Sequence, residues 1–294
     1  MTIRAAMIGA LVLLCAFQPA AQASDAVDAA QDGSADGRKI PILISDHHAD
    51  HALWLLRHVG HEDTDIVVLD AHADTETNPG RETIRSLLAA GDYEGADSLF
   101  GNHNWIHPLV PGPVSSLVWI SRIAGFPGGE RARGFLYSTR SWGIQTGYIN
   151  TEELETFPGG ERPLPAGDRA LFVSIDLDFF YNEDYTPGDI SRVFERLWNY
   201  SLERNGKVLW AICLSRAWLP GDEYAWELLE QSLRWLLAQS AFETPEVSVF
   251  TSSRRDTSRK AQSFRAEGME PPGFYLRDDA APPVIRELLE ALAK

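Results

Sequence analysis

Acidic residues and histidines cluster in three short strings of the chain, and each string directly follows a run of large apolar residues. The strings are Asp46-His47-His48, Asp70-Ala71-His72-Ala73-Asp74 and Asp176-Leu177-Asp178. Alternate residues of an extended segment point to the same side, so the side chains within one string can converge. Carboxylates can bridge two divalent cations, imidazoles add neutral ligands, and such an ion pair activates water. These residues therefore indicate a metal-dependent hydrolase.

The apolar runs before the three strings are typical of buried parallel strands. Parallel strands end at the same edge of an open sheet, so the strings should meet in the crevice where such sheets bind ligands. An aspartate at one strand end often only caps the next helix, but three strings of this composition are poorly explained by capping alone.

Strand-like and helix-like segments alternate along the chain, which predicts an α/β fold with a mostly parallel sheet covered on both faces. The predicted strands are 40–45, 66–69, 116–120, 170–175, 208–214 and 247–251. The predicted helices are 50–59, 81–90, 190–204, 222–239 and 282–292. Glycine and proline concentrate at 108–129 and 158–167, which predicts loops there.

The beginning of the chain has the pattern of an export signal. Arg4 precedes an apolar stretch over residues 7–17, and Ala21-Gln22-Ala23 offers a cleavage site. The stretch is short for a membrane span, so we expect a signal peptide over 1–23 that is removed, without stable membrane insertion. The protein would then be periplasmic or secreted, with a disordered leader over 24–38 and a single domain over 39–294.

The formal net charge of −16 at pH 7 limits the partners of the protein. It argues against nucleic acid and anionic membranes, and it is compatible with a cationic small molecule or peptide as substrate. Once the signal is cleaved, Cys213 is the single cysteine, so the protein has no internal disulfide, and its apolar surroundings predict a buried thiol.

The three strings, in this order, resemble the ligand set of the arginase-type ureohydrolases, which are three-layer α/β enzymes with two manganese ions. The family's spacing favours His47 over His48 as first ligand, because His47 lies 23 positions before Asp70. The resemblance implies one ion on His47, Asp70, Asp74 and Asp176, and another on His72, Asp178 and the shared Asp70 and Asp176. The expected ion is Mn²⁺, with Zn²⁺, Fe²⁺ and Co²⁺ as alternatives for a mixed His/Asp site.

The string Gly101-Asn102-His103-Asn104-Trp105 looks more like a divergent branch of this superfamily, which includes arginases acting on arginine within peptides. The implied reaction is hydrolysis of a linear C–N bond in a guanidino compound or peptidyl arginine, with a hydroxide held between two ions and release of urea. His103 is the candidate for proton delivery to the departing amine. Glu76 is the candidate to receive a cationic group. Asn102 and Trp105 are further candidates for substrate binding.

Two departures from the family argue against free L-arginine as the substrate. Glu76 stands where arginases have an asparagine that helps to hold the amino acid, and Ser215-Arg216 stands where they have a glutamate for the guanidinium. One alternative is a single-zinc amide deacetylase of the same fold, and another is a non-catalytic metal-binding protein of the envelope. The filled positions at His47 and Asp74 favour two ions over one.

Overall fold

The computed structural model describes residues 40–60, 62–122, 128–150, 167–181, 187–239, 245–249 and 281–292. The expected signal peptide and leader, residues 1–38, lie outside these ranges, as does most of the loop predicted at 158–167. Within the described ranges, no helix combines the length and the apolar character needed to cross a membrane.

Seven strands form one sheet, and every neighbouring pair in it is parallel. The strands are β1 (Ile40–Ser45), β2 (Thr64–Leu69), β3 (Val114–Ser121), β4 (Gln145–Asn150), β5 (Ala170–Asp176), β6 (Val208–Cys213) and β7 (Pro245–Val249). Their order across the sheet is β4-β3-β2-β5-β6-β1-β7. Every residue of β2, β5 and β6 is buried, as in strands that are covered on both faces.

Helices cover both faces of this sheet. They are α1 (Asp50–Val59), α2 (Arg81–Ala89), α3 (Tyr93–Asp97), α4 (Gly128–Thr139), α5 (Pro187–Leu202), α6 (Asp222–Gln239) and α7 (Pro283–Leu292). Alternate residues of β1 belong to different apolar clusters: Leu43 packs with residues of α1, whereas Ile42 and Ile44 belong to the cluster that contains α5, α6 and α7. The predicted three-layer α/β fold with a parallel central sheet is therefore confirmed.

The predicted loop over 108–129 is interrupted by β3, whose central residues are the strand predicted at 116–120, and its last two residues belong to α4. β3 begins at Val114, which is fully buried and pairs with Thr64 of β2, so pairing extends the strand into the proline-rich segment. α4 begins at Gly128 and is absent from the predicted helices. β4 is also absent from the predicted strands: its sequence QTGYIN is polar at its start, because β4 lies at the edge of the sheet and four of its six residues are not buried.

The register of the sheet brings the ends of four strands level with one another. Leu69 of β2 pairs with Ile175 of β5, Ile175 pairs with Ile212 of β6, and Ile212 pairs with Ile44 of β1. The residues that follow this row, including those of the three predicted strings, emerge together at the carboxyl edge of the sheet. This is the edge where open α/β sheets build their sites.

Candidate metal centre

Three buried side chains from two strand ends form the first group of possible metal ligands. His48 lies in the turn between β1 and α1, and its Nδ1 is 2.6 Å from Asp74 Oδ2 and 3.2 Å from Asp70 Oδ2. Asp176 Oδ2 lies 3.5 Å from the same nitrogen. All four side chains are at least nine-tenths buried. The ligand atoms of His48, Asp70 and Asp74 lie within 4.8 Å of one another, close enough to bind one ion.

A second group shares Asp70 with the first. His72 Nδ1 lies 3.0 Å from Asp178 Oδ2 and 3.6 Å from Asp70 Oδ1, and the ligand atoms of all three lie within 4.8 Å of one another. Asp70 and Asp178 are buried, whereas half of the His72 side chain is exposed. The two oxygens of Asp70 thus face different groups, so this carboxylate could contact an ion in each of them.

The backbone after each strand fixes these carboxylates. Asp70 Oδ1 accepts a hydrogen bond from the His72 amide at 2.6 Å, and Asp176 Oδ1 accepts one from the Asp178 amide at 3.0 Å. The second bond caps a short 3-10 turn over Leu177–Phe180. Helix capping therefore accounts for the position of one oxygen of Asp176, Oδ1. Asp74 has a φ of 49°, in the left-handed region that aspartate tolerates better than most residues.

Neighbouring side chains also donate hydrogen bonds to the carboxylate oxygens that face His48 Nδ1. The Trp105 indole Nε1–H donates to Asp74 Oδ2 at 3.1 Å, and the Ser215 hydroxyl donates to Asp176 Oδ2 at 2.6 Å. Ser215 itself has a φ of 46°, which is costly for serine and places its hydroxyl toward the site. Ser215 is not among the candidate site residues predicted above, where it appears only as a departure from the family; its position two residues after the buried strand β6 is a further signal.

Burial and mutual repulsion disfavour the ionised form of these carboxylates unless a positive charge lies nearby. Burial, together with Asp74 and Asp178, raises the pKa of Asp70 to about 6. Burial, together with Asp178 and Asp70, raises the pKa of Asp176 well above its ordinary value. Both raised pKa values mean that ionising these carboxyl groups is unfavourable in the folded protein, because its own groups do not fully offset their negative charge.

The pKa values of both imidazoles are also raised, in their case because the nearby carboxylates favour the cationic form. Hydrogen bonds to Asp178 and Asp70 raise the pKa of His72 to about 12. Burial alone would lower the pKa of His48, but Asp74 and Asp70 raise it well above its ordinary value. Each histidine is therefore attracted to a carboxylate pair that favours a cation in contact with it.

The charges of the site fit divalent cations. If Asp70, Asp74, Asp176 and Asp178 were all ionised they would bring four negative charges together, and two protonated imidazoles would offset only two of them. No lysine or arginine lines the adjoining pocket among the residues that the structure describes. A buried excess of negative charge is strongly unfavourable unless it is paired or bound to metal. The oxygen-rich donor set with two imidazoles suits Mn²⁺ and the other divalent ions named above.

A pocket of about 460 Å³ opens beside the two groups. Its wall includes His48, His72, Asp74 and Asp176 from the groups, the predicted Glu76, Asn102 and His103, and the aromatic Trp119, Phe135 and Trp218. Glu76 and His103 lie together: His103 Nε2 is 3.7 Å from Glu76 Oε2, and both side chains are largely exposed. This volume is in the range of pockets that bind small ligands or a single large side chain.

The first histidine of the site differs from the one that the family spacing favours. His48 joins the carboxylates, whereas His47 is buried with its Nδ1 3.3 Å from Asn102 Oδ1. Asn102 binds His47 and also accepts a hydrogen bond from the Ala49 amide at 3.1 Å. Asn102 therefore lines the pocket and also fixes the turn that carries His48.

Two other residues singled out in the sequence have structural contacts that were not foreseen. Trp105 is fully buried and does not line the described pocket, so its contact is with Asp74 rather than with a ligand. Arg216 is buried and donates from Nη2 to Asp46 Oδ2 at 2.6 Å, which ties the end of β6 to the end of β1. Cys213 is fully buried, as predicted.

Comparison of the chain with protein-family models and with curated proteins finds no match.

Proposed function

We propose that this protein is a binuclear-metal-dependent hydrolase of a linear C–N bond, acting on a guanidino compound or peptidyl arginine with release of urea. The observation that carries the proposal is the position of Asp70 between two ligand groups, each with one histidine and a further aspartate. The resemblance of the three strings to arginase-type ureohydrolases supports the same reaction. The expected export signal would place this activity in the periplasm or outside the cell.

We assign the following roles to residues of the site. His48, Asp70 and Asp74 would hold one ion, and Asp70, His72 and Asp178 the other, with Asp176 beside the first group. When bound, two divalent ions supply a nucleophile at neutral pH by lowering the pKa of a water molecule. His103, which lies in the pocket wall, would deliver a proton to the departing amine.

The pocket wall favours a planar cationic group as substrate. Glu76 offers an exposed carboxylate that can accept two parallel hydrogen bonds from a guanidinium. Trp218 is 37% exposed and lies with its ring centre 5.3 Å from that of His72, so an aromatic face lies next to the second ligand group. Guanidinium groups stack on aromatic faces, and no described lysine or arginine of the wall would repel one.

The test is urea release from an arginine-containing peptide by protein loaded with Mn²⁺. Asp176→Ala should abolish release, because it removes a buried carboxylate beside the first group, 3.5 Å from His48 Nδ1. The matched control is Asp63→Ala, an exposed aspartate next to the opposite end of β2, which should release urea like the unaltered protein. Absence of urea from peptides and small guanidines would refute the proposal, and release of acetate from acetamides would favour the deacetylase alternative.

A further inference from the structure

The hydroxyl of Ser174, in β5, lies between two buried imidazoles. Ser174 Oγ is 2.7 Å from His48 Nε2 and 2.8 Å from His51 Nδ1, and all three side chains are at most 1% exposed. His51 belongs to the first turn of α1, and its ring centre is 4.6 Å from that of His48. The three side chains form a continuous hydrogen-bonded row that starts at the metal centre and runs into the interior.

A hydroxyl group has one proton, so Ser174 can donate to only one of the two imidazoles and must accept from the other. His48 Nδ1 is the atom that faces the carboxylates of the first group. A neutral His48 that offers the Nδ1 lone pair to an ion must carry its proton on Nε2. In that state His48 donates to Ser174, Ser174 donates to His51 Nδ1, and His51 carries its proton on Nε2.

The reverse arrangement excludes the ion. If His51 donated from Nδ1 to Ser174, Ser174 would donate to His48 Nε2, and His48 would carry its proton on Nδ1. That proton would occupy the side of the ring that lies 2.6 Å from Asp74. The direction of the hydrogen bonds in the row therefore decides whether His48 can act as a ligand.

We propose that His51 is a positioning residue that, through Ser174, holds His48 in the tautomer that presents Nδ1 to the metal. The inference rests on the proposed metal centre. His51 lies between Trp105 and Phe172, whose ring centres are each 6.0 Å from that of His51. Burying a polar imidazole in such surroundings is unfavourable unless it is hydrogen-bonded, which supports a role for its bond to Ser174. Within the described part of the chain His51 Nε2 has no hydrogen-bond partner, so the bond to Ser174 is its polar contact with the site.

The experiment compares Mn²⁺ binding by the full chain, by His51→Leu and by His51→Asn. Leucine removes the acceptor and should weaken binding of one of the two ions about 10- to 100-fold, the usual effect of losing a partner of a ligating histidine. Asparagine offers an amide oxygen close to the position of Nδ1 and should restore affinity to within a few-fold. The matched control is His58→Leu, in the same helix, whose Nδ1 contacts the Trp54 carbonyl at 2.8 Å and which should leave both affinities unchanged.

A second readout does not depend on any variant folding. In protein loaded with diamagnetic Zn²⁺, nitrogen-15 NMR of the imidazoles should find the proton of His51 on Nε2 and that of His48 also on Nε2. A proton on His51 Nδ1 in the loaded protein would overturn the inference. Unchanged affinity for both ions in His51→Leu would also overturn it.

These outcomes separate the inference from the proposed function. A protein that binds two ions and responds to His51→Leu, but releases no urea, would refute the function and leave the inference standing. A protein that releases urea with undiminished metal affinity in His51→Leu would refute the inference alone. A protein that binds no divalent ion would refute both.

Discussion

Replacing Asp70 by asparagine should stabilise the metal-free protein, although Asp70 contacts both His48 and His72. Burial and the neighbouring carboxylates raise the pKa of Asp70 from 3.8 to about 6, and this net shift already includes the attraction of the two imidazoles. At neutral pH the folded protein therefore holds this charge at a disadvantage relative to the unfolded chain. Asparagine keeps the shape and removes the charge.

The size of the effect follows from the pKa difference. At 1.36 kcal/mol per pKa unit, the rise to about 6 corresponds to a destabilisation of about 3 kcal/mol at pH 7. Because the folded pKa is the higher one, the penalty is complete above pH 6 and disappears as the pH falls below about 4. The metal-free protein should gain this much stability between pH 7 and pH 4 relative to Asp70→Asn.

With bound metal, the unaltered protein should be more stable than Asp70→Asn, the reverse of the order without metal. An ion at 100 times its Kd stabilises a folded protein by about 2.7 kcal/mol per site. The unaltered protein should show this gain with Mn²⁺, whereas Asp70→Asn should gain little, because both ligand groups use Asp70. Urea denaturation at pH 7, in chelator and in excess Mn²⁺, measures both effects.

Asp65→Asn is the matched control for a buried aspartate of the same strand. Asp65 lies near the opposite end of β2 and pairs with Arg204 at 2.6 Å and Arg169 at 3.1 Å. Its loss should cost about 3–5 kcal/mol with or without metal, because it removes the carboxylate that pairs with the buried Arg204. The reasoning is refuted if Asp70→Asn is less stable than the unaltered protein in chelator, or if Mn²⁺ stabilises both equally.

Substitutions at three further residues test the surroundings of the site. Ser215→Ala and Ser215→Gly should both weaken Mn²⁺ binding about tenfold in titration calorimetry, because Asp176 loses a donor at 2.6 Å. The free energy of unfolding of the glycine variant should be about 1 kcal/mol higher than that of the alanine variant, since a φ of 46° suits glycine. Equal stability of the two variants would contradict this. Trp105→Phe should lower the free energy of unfolding by about 1–3 kcal/mol in urea, because Asp74 loses a buried donor, and an unchanged midpoint would speak against that bond. Glu76→Gln should raise KM for an arginine peptide about tenfold with kcat preserved, and an effect on kcat alone would exclude substrate binding as its role.

The interior of the sheet could be predicted from sequence because its strands are continuous apolar runs. The strand expected at 40–45 has the bounds of β1, and those expected at 170–175 and 208–214 each differ from β5 and β6 by one residue. β4 was not predicted, because an edge strand buries fewer residues and therefore needs no continuous apolar run. In the central strands burial dictates composition, and at the edge it does not.

The candidate site was predictable as far as the order of the strands in the sheet determines it. Asp70, His72 and Asp74 lie at the same edge because they follow β2, and Asp178 meets Asp70 and His72 because β5 is the neighbour of β2. His47 and His48 could not be separated this way, since they lie in a turn, where the period of two no longer holds.

The supporting hydroxyls could not be predicted from the sequence. Ser174 and Ser215 are common small polar residues, and only their contacts with His48 and Asp176 distinguish them from other serines. Such contacts join strands and turns that are far apart in the chain. The sequence therefore identifies residues with chemistry of their own more readily than the residues that hold them in place.

An anomalous-scattering map of crystals grown with Mn²⁺ tests the central claim most directly. Two peaks should appear at the carboxyl edge of the sheet, one in contact with His48, Asp70 and Asp74 and the other with Asp70, His72 and Asp178. A map without a peak between these side chains, or with ions bound only elsewhere on the protein, would contradict the claim.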